Sequence, residues 1–269
     1  MGVRLHPTDD FLQLAEKEAV MGDIEQHLVE PDPNVTTLSY HYWDIGRSKE
    51  AFRRLEHALR ETWRHCGKLK AVIVVNRVDT WVESFAEQHS NVDLQVEPCL
   101  TPGKLWSLSH DCIANLHRRF DTDYVLTIQT DGYPLREGLS EFIGKWDYIA
   151  APHICDVWWK RLASDVLQFR PMNGGFSLRS HECCEQVGYW WNRKYHELGD
   201  CHETVEDWFY TAYLPRMERS YRRAMRFPCI STALEFSYEA IGPWKRHRLP
   251  FGFHRMDSRE ILRSAGLLP

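Results

Sequence analysis

"LTIQTDGYPL", residues 126–135, decides how this chain is read. Apolar and β-branched residues crowd its first half, so Tyr124 to Ile128 reads as a strand covered on both faces. Gly132 and Pro134 then stop it. Between strand and stop sits Asp131, a carboxylate at the mouth of an apolar strand, which needs water, a hydrogen-bond partner or a cation. Two readings stay open. Asp131 either caps the Gly132–Pro134 bend through nearby backbone N–H groups, or it holds a hard cation, Mn²⁺ or Mg²⁺, that also takes phosphate oxygens.

Working outward, the same rhythm repeats upstream. Strand "TTLSYHYW" (36–43) leads to a helix over 48–65, and strand "KAVIVVN" (70–76) to a short helix over 80–89. Strand "VDLQVEP" (92–98) leads to a longer helix over 105–119, which enters the strand at 124–129. Four strands alternating with helices imply βαβ crossovers and a mainly parallel α/β sheet. Ligands of such sheets bind beyond the carboxyl ends of the strands, where Asp131 lies. No glycine-rich dinucleotide or P-loop signature follows the first strand, since "WDIGRSKE" (43–50) has one glycine.

After Pro134 the pattern is mixed. A short helix "EGLSEFIG" (137–144) and strand "WDYIAAP" (146–152) precede a long Trp-rich stretch, 153–172, with the length of an acceptor loop or lid. Strand "GGFSLRS" (174–180) and a helix over 182–197 follow. Residues 9–30 read as helical and "EPDPN" (30–34) ends them, because two prolines cannot continue a helix. The expected organisation is therefore a helical extension over 1–34 and one domain over 35–269, with a nucleotide-binding half (35–135) and an acceptor half (136–256).

With 269 residues, 43% hydrophobic and 26% charged, the chain can bury a large core. A net charge of −5 argues against a dedicated nucleic-acid coat, although "RMERSYRRAMR" (216–226) and "WKRHR" (244–248) are basic. Eight cysteines form no disulfide framework, and no long apolar run or leader is evident, so a reducing cytoplasm is expected. Eleven tryptophans are many for this length, and their flat faces suit sugars, bases or partner proteins alike. "HELGD" (196–200) is not HExxH, which removes a zinc hydrolase.

Taken in order, "QTD", "DYIAAP", "NGGFSLRS", the Glu206–Asp207 pair and "FGFH" resemble a GT-A-fold glycosyltransferase. The match is best to the domain-of-unknown-function group carrying QTD, DYIGAP, GNGGFSLR and ED motifs, over roughly residues 36–256. The resemblance implies transfer of a sugar from a nucleotide-sugar donor to a carbohydrate or other hydroxyl acceptor, inverting and assisted by Mn²⁺ or Mg²⁺. Gln129-Thr130-Asp131 carries one acid where the Asp-x-Asp motif has two, and Asp131 matches the acid that reaches the metal.

The resemblance assigns roles to His254 and the acid pair, and topology and residue chemistry suggest the others. His254 completes the metal shell; the ordinary alternative is a packed histidine. Asp207 is the base that takes the acceptor proton, with Glu206 holding acceptor or donor; an acid pair at a helix start is otherwise explained by the helix dipole. Lys245 and Arg248, with Arg246 and Arg255, would neutralise the leaving diphosphate. Ser39, Tyr40 and His41 after the first strand, and Asn76 and Asp79 after the second, would border the nucleotide. On the acceptor side stand Asn173, Trp158, Trp208 and the glycines 174 and 175. Consecutive glycines entering a strand suggest either close backbone approach to a ligand or a bulge. Two other functions compete: sugar transfer to a modified base in nucleic acid, read by the basic runs, and a catalytically silent nucleotide- or sugar-binding protein.

Overall fold

The computed structural model describes residues 29–41, 48–98, 100, 105–152, 171–239, 248–264 and 266. Six strands form one sheet: β1 Val35–His41, β2 Lys70–Val75, β3 Val92–Val96, β4 Tyr124–Thr127, β5 Tyr148–Pro152 and β6 Met172–Ser180. Their spatial order is β3-β2-β1-β4-β6-β5. The first four run parallel, as the βαβ reading requires, and β6 runs antiparallel to both β4 and β5. The fold is thus α/β with a mainly parallel sheet and a mixed second half.

Side-chain alternation splits the core into two layers. Ala71, Ile73 and Val75 of β2 join one layer with Phe52, Leu55 and Leu59 from helix α1 (Ser48–Cys66) and Val82 and Phe85 from α2 (Thr80–Gln88). Val72 and Val74 face the opposite layer, with Ile113 from α3 (Leu105–Ala114) and Cys183, Cys184 and Val187 from α4 (His181–Trp190). Ile73 is fully buried, so Ile73→Ala should cost about 2–5 kcal/mol. The apolar runs of β2 and β4 are covered on both faces, as their composition requires.

Several boundaries differ from the sequence pattern. The segment 137–144 forms one 3₁₀ turn, Leu139–Glu141, because Gly138 and Gly144 bracket too few residues for a helix. The helix expected to 197 changes to a π turn at Trp191–Tyr195, where Trp191 and Tyr195 are pulled into the core. The expected extension through residue 28, the 153–170 stretch and residues 240–247 lie outside the described residues. No helix among the described residues is long and apolar enough to cross a membrane.

Two features of this topology make a site. The chain leaves β1 to one side for β2 and β3, then returns on the other side at β4, opening a crevice beyond the strand ends. Because β6 is antiparallel, with Ser177 opposite Thr127, its first residues lie beside the end of β4.

Candidate active site

The bend after β4 is closed by backbone alone. Gln129 N donates to Gly132 O at 3.1 Å, and Gly132 N donates to Gln129 O at 3.2 Å. Asp131 is therefore not needed as a cap. Its side chain is 40% exposed, and Oδ1 lies 3.8 Å from Nε2 of His254. The acid and the late histidine are brought together from 123 positions apart in sequence.

Backbone bonds hold His254 there. The two-residue strands β7 (Ser237–Tyr238) and β8 (Gly252–Phe253) pair in parallel, and His254 N continues the ladder by donating to Tyr238 O at 3.0 Å. Leu135 N donates to Phe251 O at 2.7 Å on the other side. Arg255 adopts φ 72°, a left-handed conformation that costs a non-glycine residue about 1–3 kcal/mol. In return its N–H bonds Asp131 O at 2.8 Å and ties the two segments together. The ring of His254 is mostly buried, with Gln129 Oε1 3.2 Å from Nε2 and Glu239 Oε1 3.6 Å from Nδ1.

Gly174 and Gly175 explain themselves at this point. A methyl group on Gly175 would lie inside the His254 imidazole, and one on Gly174 inside the Glu206 carboxylate. The close approach expected of a ligand is made by two side chains of the chain itself, and the β5–β6 register also shifts here, between Ala150↔Ser177 and Pro152↔Met172, as the bulge reading requires. Adjacent residues of β6 thus seat His254 on one side and Glu206 on the other.

Glu206 opens helix α5 (Glu206–Trp208), which runs on as a π turn, Phe209–Tyr213. Its Oε1 accepts from Arg179 Nη2 at 2.8 Å. Arg179 is wholly buried, bonding Ser177 Oγ and Gly174 O. The rings of Tyr148 and Tyr210 lie 5.0 and 4.8 Å from its guanidinium carbon. Such rings stabilise a desolvated guanidinium through their electron-rich faces. Burial pushes the Glu206 carboxyl above its usual range, Asp207 beside it adds to the shift, and Arg179 opposes it.

Residues 112–254 match the family described as "Protein of unknown function (DUF5672)". The chain belongs to this family. The matched span contains Asp131, both glycines, the acid pair and His254. No curated protein matches the chain in sequence. Among solved structures it is similar to the mannosyltransferase PcManGT from Pyrobaculum calidifontis in complex with GDP-Man and Mn²⁺, at 16% identity and TM-score 0.34. That similarity covers 66% of this chain and 54% of the other, so the chain spans about half the length of that relative. It is also similar to the mannosyltransferase Ktr4p from S. cerevisiae, at 7% identity and TM-score 0.43 over 78% of this chain and 73% of that one. The glycosyltransferase GlyE from Streptococcus pneumoniae TIGR4 matches at 12% identity and TM-score 0.45, over 88% of this chain and 61% of that one. These likenesses are distant.

The other expected residues are placed less decisively. Asp207 is half-buried, and its Oδ1 accepts from Trp208 N at 2.6 Å. Asn173 spends its side-chain oxygen on Gly175 N at 2.7 Å, which leaves its amide nitrogen for a ligand. Tyr40 donates to Asp111 Oδ2 at 2.7 Å, and burial, with nearby Cys112 and Asp111, holds its phenol well above the usual range. Asp79 caps α2 by accepting from Trp81 N, an ordinary structural role. Ser39 is buried, Asn76 half-buried and Arg248 exposed. Lys245 and Trp158 lie outside the described residues.

Reading the sequence missed Arg179, Gln129 and Glu239. Arg179 carried a usable signal: a cation inside a strand bounded by apolar residues must be buried, and a buried cation requires an acid. Glu239 carried none, since its place depends on a two-residue ladder.

Among the described residues, no group of three or more His, Cys, Asp and Glu side chains is arranged to hold a metal ion. The Asp131–His254 pair offers one carboxylate oxygen and one imidazole nitrogen, donor types that hard divalent cations accept. The buried Nδ1 of His254 and Oε2 of Glu239 have no hydrogen-bond partner among the described residues, so none of these consumes the imidazole on that side.

Proposed function

We propose that this protein is a GT-A-type glycosyltransferase that moves a sugar from a nucleotide-sugar donor to an acceptor hydroxyl with inversion. One observation carries the reading. Asp131, His254, Gly175, Gly174 and Glu206 lie against one another in turn beyond the end of β4, with the Asp131–His254 pair at one end and the Glu206–Asp207 pair at the other. The motif order read from the sequence supports the same assignment.

Asp131 Oδ1 and His254 Nε2 would hold Mn²⁺ or Mg²⁺, which when bound neutralises charge developing on the leaving diphosphate. Asn173, Trp208 and Trp158 are proposed to face the acceptor. Glu206, fixed by Arg179, orients the reacting sugar or acceptor. Asp207 accepts the proton of the acceptor hydroxyl as oxygen bonds to the anomeric carbon and the diphosphate departs from the opposite face. Lys245 and Arg248 are proposed to add positive charge toward the diphosphate. An acceptor in nucleic acid is the less favoured alternative, since the net charge is −5 and Arg226 of the basic run is engaged by Asp147. The buried free thiols Cys183 and Cys184 accord with the cytoplasmic setting proposed from composition.

The test is a thermal-shift panel of nucleotides and nucleotide sugars with and without Mn²⁺, followed by release of nucleoside diphosphate from the donor that binds. Asp207→Asn should lower turnover on the order of a hundredfold or more with donor affinity little changed. Equal loss of donor affinity would remove Asp207 from the role of base. A product with retained anomeric configuration would end the inverting mechanism.

A further inference from the structure

We propose that Glu239 is a positioning residue for His254, accepting its Nδ1–H so that the Nε2 lone pair faces Asp131. The inference rests on the cation-binding reading of that pair. No motif or similarity assigns Glu239 a task.

Geometry points to one. Glu239 directly follows β7, and the bond from His254 N to Tyr238 O sets it beside the imidazole. Its side chain is 4% exposed, with Oε1 3.6 Å from Nδ1. Among the described residues, Oε2 of Glu239 and Nδ1 of His254 are buried without hydrogen-bond partners. A buried ring nitrogen without a hydrogen-bond partner, beside a buried carboxylate, is satisfied by that carboxylate only if the nitrogen carries the proton. The separation is longer than a formed hydrogen bond, and the two groups close when the opposite nitrogen is engaged.

The other side of the ring supplies the alternative. Nε2 lies 3.2 Å from Gln129 Oε1. An Nε2–H tautomer would donate to that oxygen but would aim the Nδ1 lone pair at the Glu239 carboxylate, acceptor against acceptor. The Nδ1–H tautomer removes that conflict, and turning the Gln129 amide lets its nitrogen donate to Nε2 when no cation is bound. A carboxylate behind a ligating histidine fixes its tautomer and ring orientation, and its loss commonly weakens metal binding 10–100-fold.

Selective ¹⁵N labelling of histidine, with the His254 signals identified by their loss in His254→Gln, reads the tautomer directly in metal-free protein at pH 8. The expected wild-type ring is the Nδ1–H form. Glu239→Leu should convert it to the Nε2–H form and raise the Mn²⁺ dissociation constant 10- to 100-fold, measured by the paramagnetic signal of free Mn²⁺. Glu239→Gln, which keeps a side-chain acceptor, should retain the wild-type tautomer and lose less affinity. An Nε2–H or doubly protonated ring in wild type would overturn the proposal, even if the leucine variant failed to fold. So would a tautomer indifferent to Glu239→Leu. Failure of the wild type to bind Mn²⁺ would instead remove the cation reading, while the tautomer measurement still decides the role of Glu239.

Discussion

Replacing Arg179 by methionine tests how the acid end of the site is built. Methionine fills much the same space and is flexible enough to fit between the rings of Tyr148 and Tyr210. It removes the charge that binds Glu206 at 2.8 Å, and Glu206 is itself only 14% exposed. Breaking such a pair from one side costs about 3–5 kcal/mol, because the surviving charge stays buried alone. Two ring faces at 5.0 and 4.8 Å also lose their cation, placing the expected cost near the upper end of that range. Glu206→Gln should cost a similar amount by stranding the guanidinium. The double variant should be less destabilised than the sum by at least about 2 kcal/mol, since neither charge remains. Urea denaturation followed by tryptophan fluorescence measures all four proteins. The pH dependence supplies a second check. Glu206 has a carboxyl held above its ordinary value, so the folded state binds the extra proton and stability falls as pH rises from that ordinary value through the folded one. Removing Arg179 takes away an opposing cation and deepens that fall, so the cost of Arg179→Met should be smallest in acid. Additive costs within about 0.5 kcal/mol would refute a coupled buried pair.

Asp131→Asn should abolish the Mn²⁺-dependent part of nucleotide binding while leaving the urea midpoint nearly unchanged, because the side chain is partly exposed and makes no hydrogen bond among the described residues. Normal metal-dependent binding in that variant would move the cation elsewhere. Gly175→Ala should displace His254 and cost about 1–3 kcal/mol by overpacking, with a weaker Mn²⁺ titration; a silent substitution would contradict the seating of the ring on β6. Burial raises the Asp147 carboxyl, but its hydrogen bonds from Arg226 N, Nε and Nη2 outweigh this and hold it below the ordinary value. Its stabilisation is therefore present above the unfolded value and lost as pH falls through the folded one. Asp147→Asn should cost about 2 kcal/mol near neutral pH and much less near pH 3, as read from urea midpoints; equal costs at both would refute the charge argument.

The parallel half of the fold was legible because its signals are local. "AVIVV" and "YVLTI" state their burial by composition, whereas Asp79, expected beside the nucleotide, is used to cap α2. The position of Asp131 followed from topology. Its pairing with His254 followed only from resemblance, because no local pattern joins residues so far apart. The glycines announced a close approach, but their sequence could not say that His254 and Glu206 make it. Tyr40 was the reverse case: the end of β1 is where a nucleotide is expected, yet its hydroxyl is committed to Asp111, which also accepts from Asn115 and Arg119. A strand-end position permits ligand contact, and only the hydrogen-bond partners show whether the side chain has another use.

The two ends of the site share one strand. Gly174 lends its carbonyl oxygen to Arg179 and its open α-carbon to Glu206, while Gly175 gives its N–H to Asn173 and its α-carbon face to His254. One strand entry therefore fixes the separation between the group proposed to face the diphosphate and the acid pair proposed to face the acceptor. Displacement along β6 would move both together, and Arg179 on the same strand resists it through bonds to Ser177 and Gly174. A reaction in which attack and departure occur on opposite faces of one carbon needs such a fixed distance more than it needs any single strong contact. Anchoring both ends to β6 meets that need, because Ser177 to Arg179 of that strand pair with β4 on one side and β5 on the other, and such a strand is among the last parts of a domain to open.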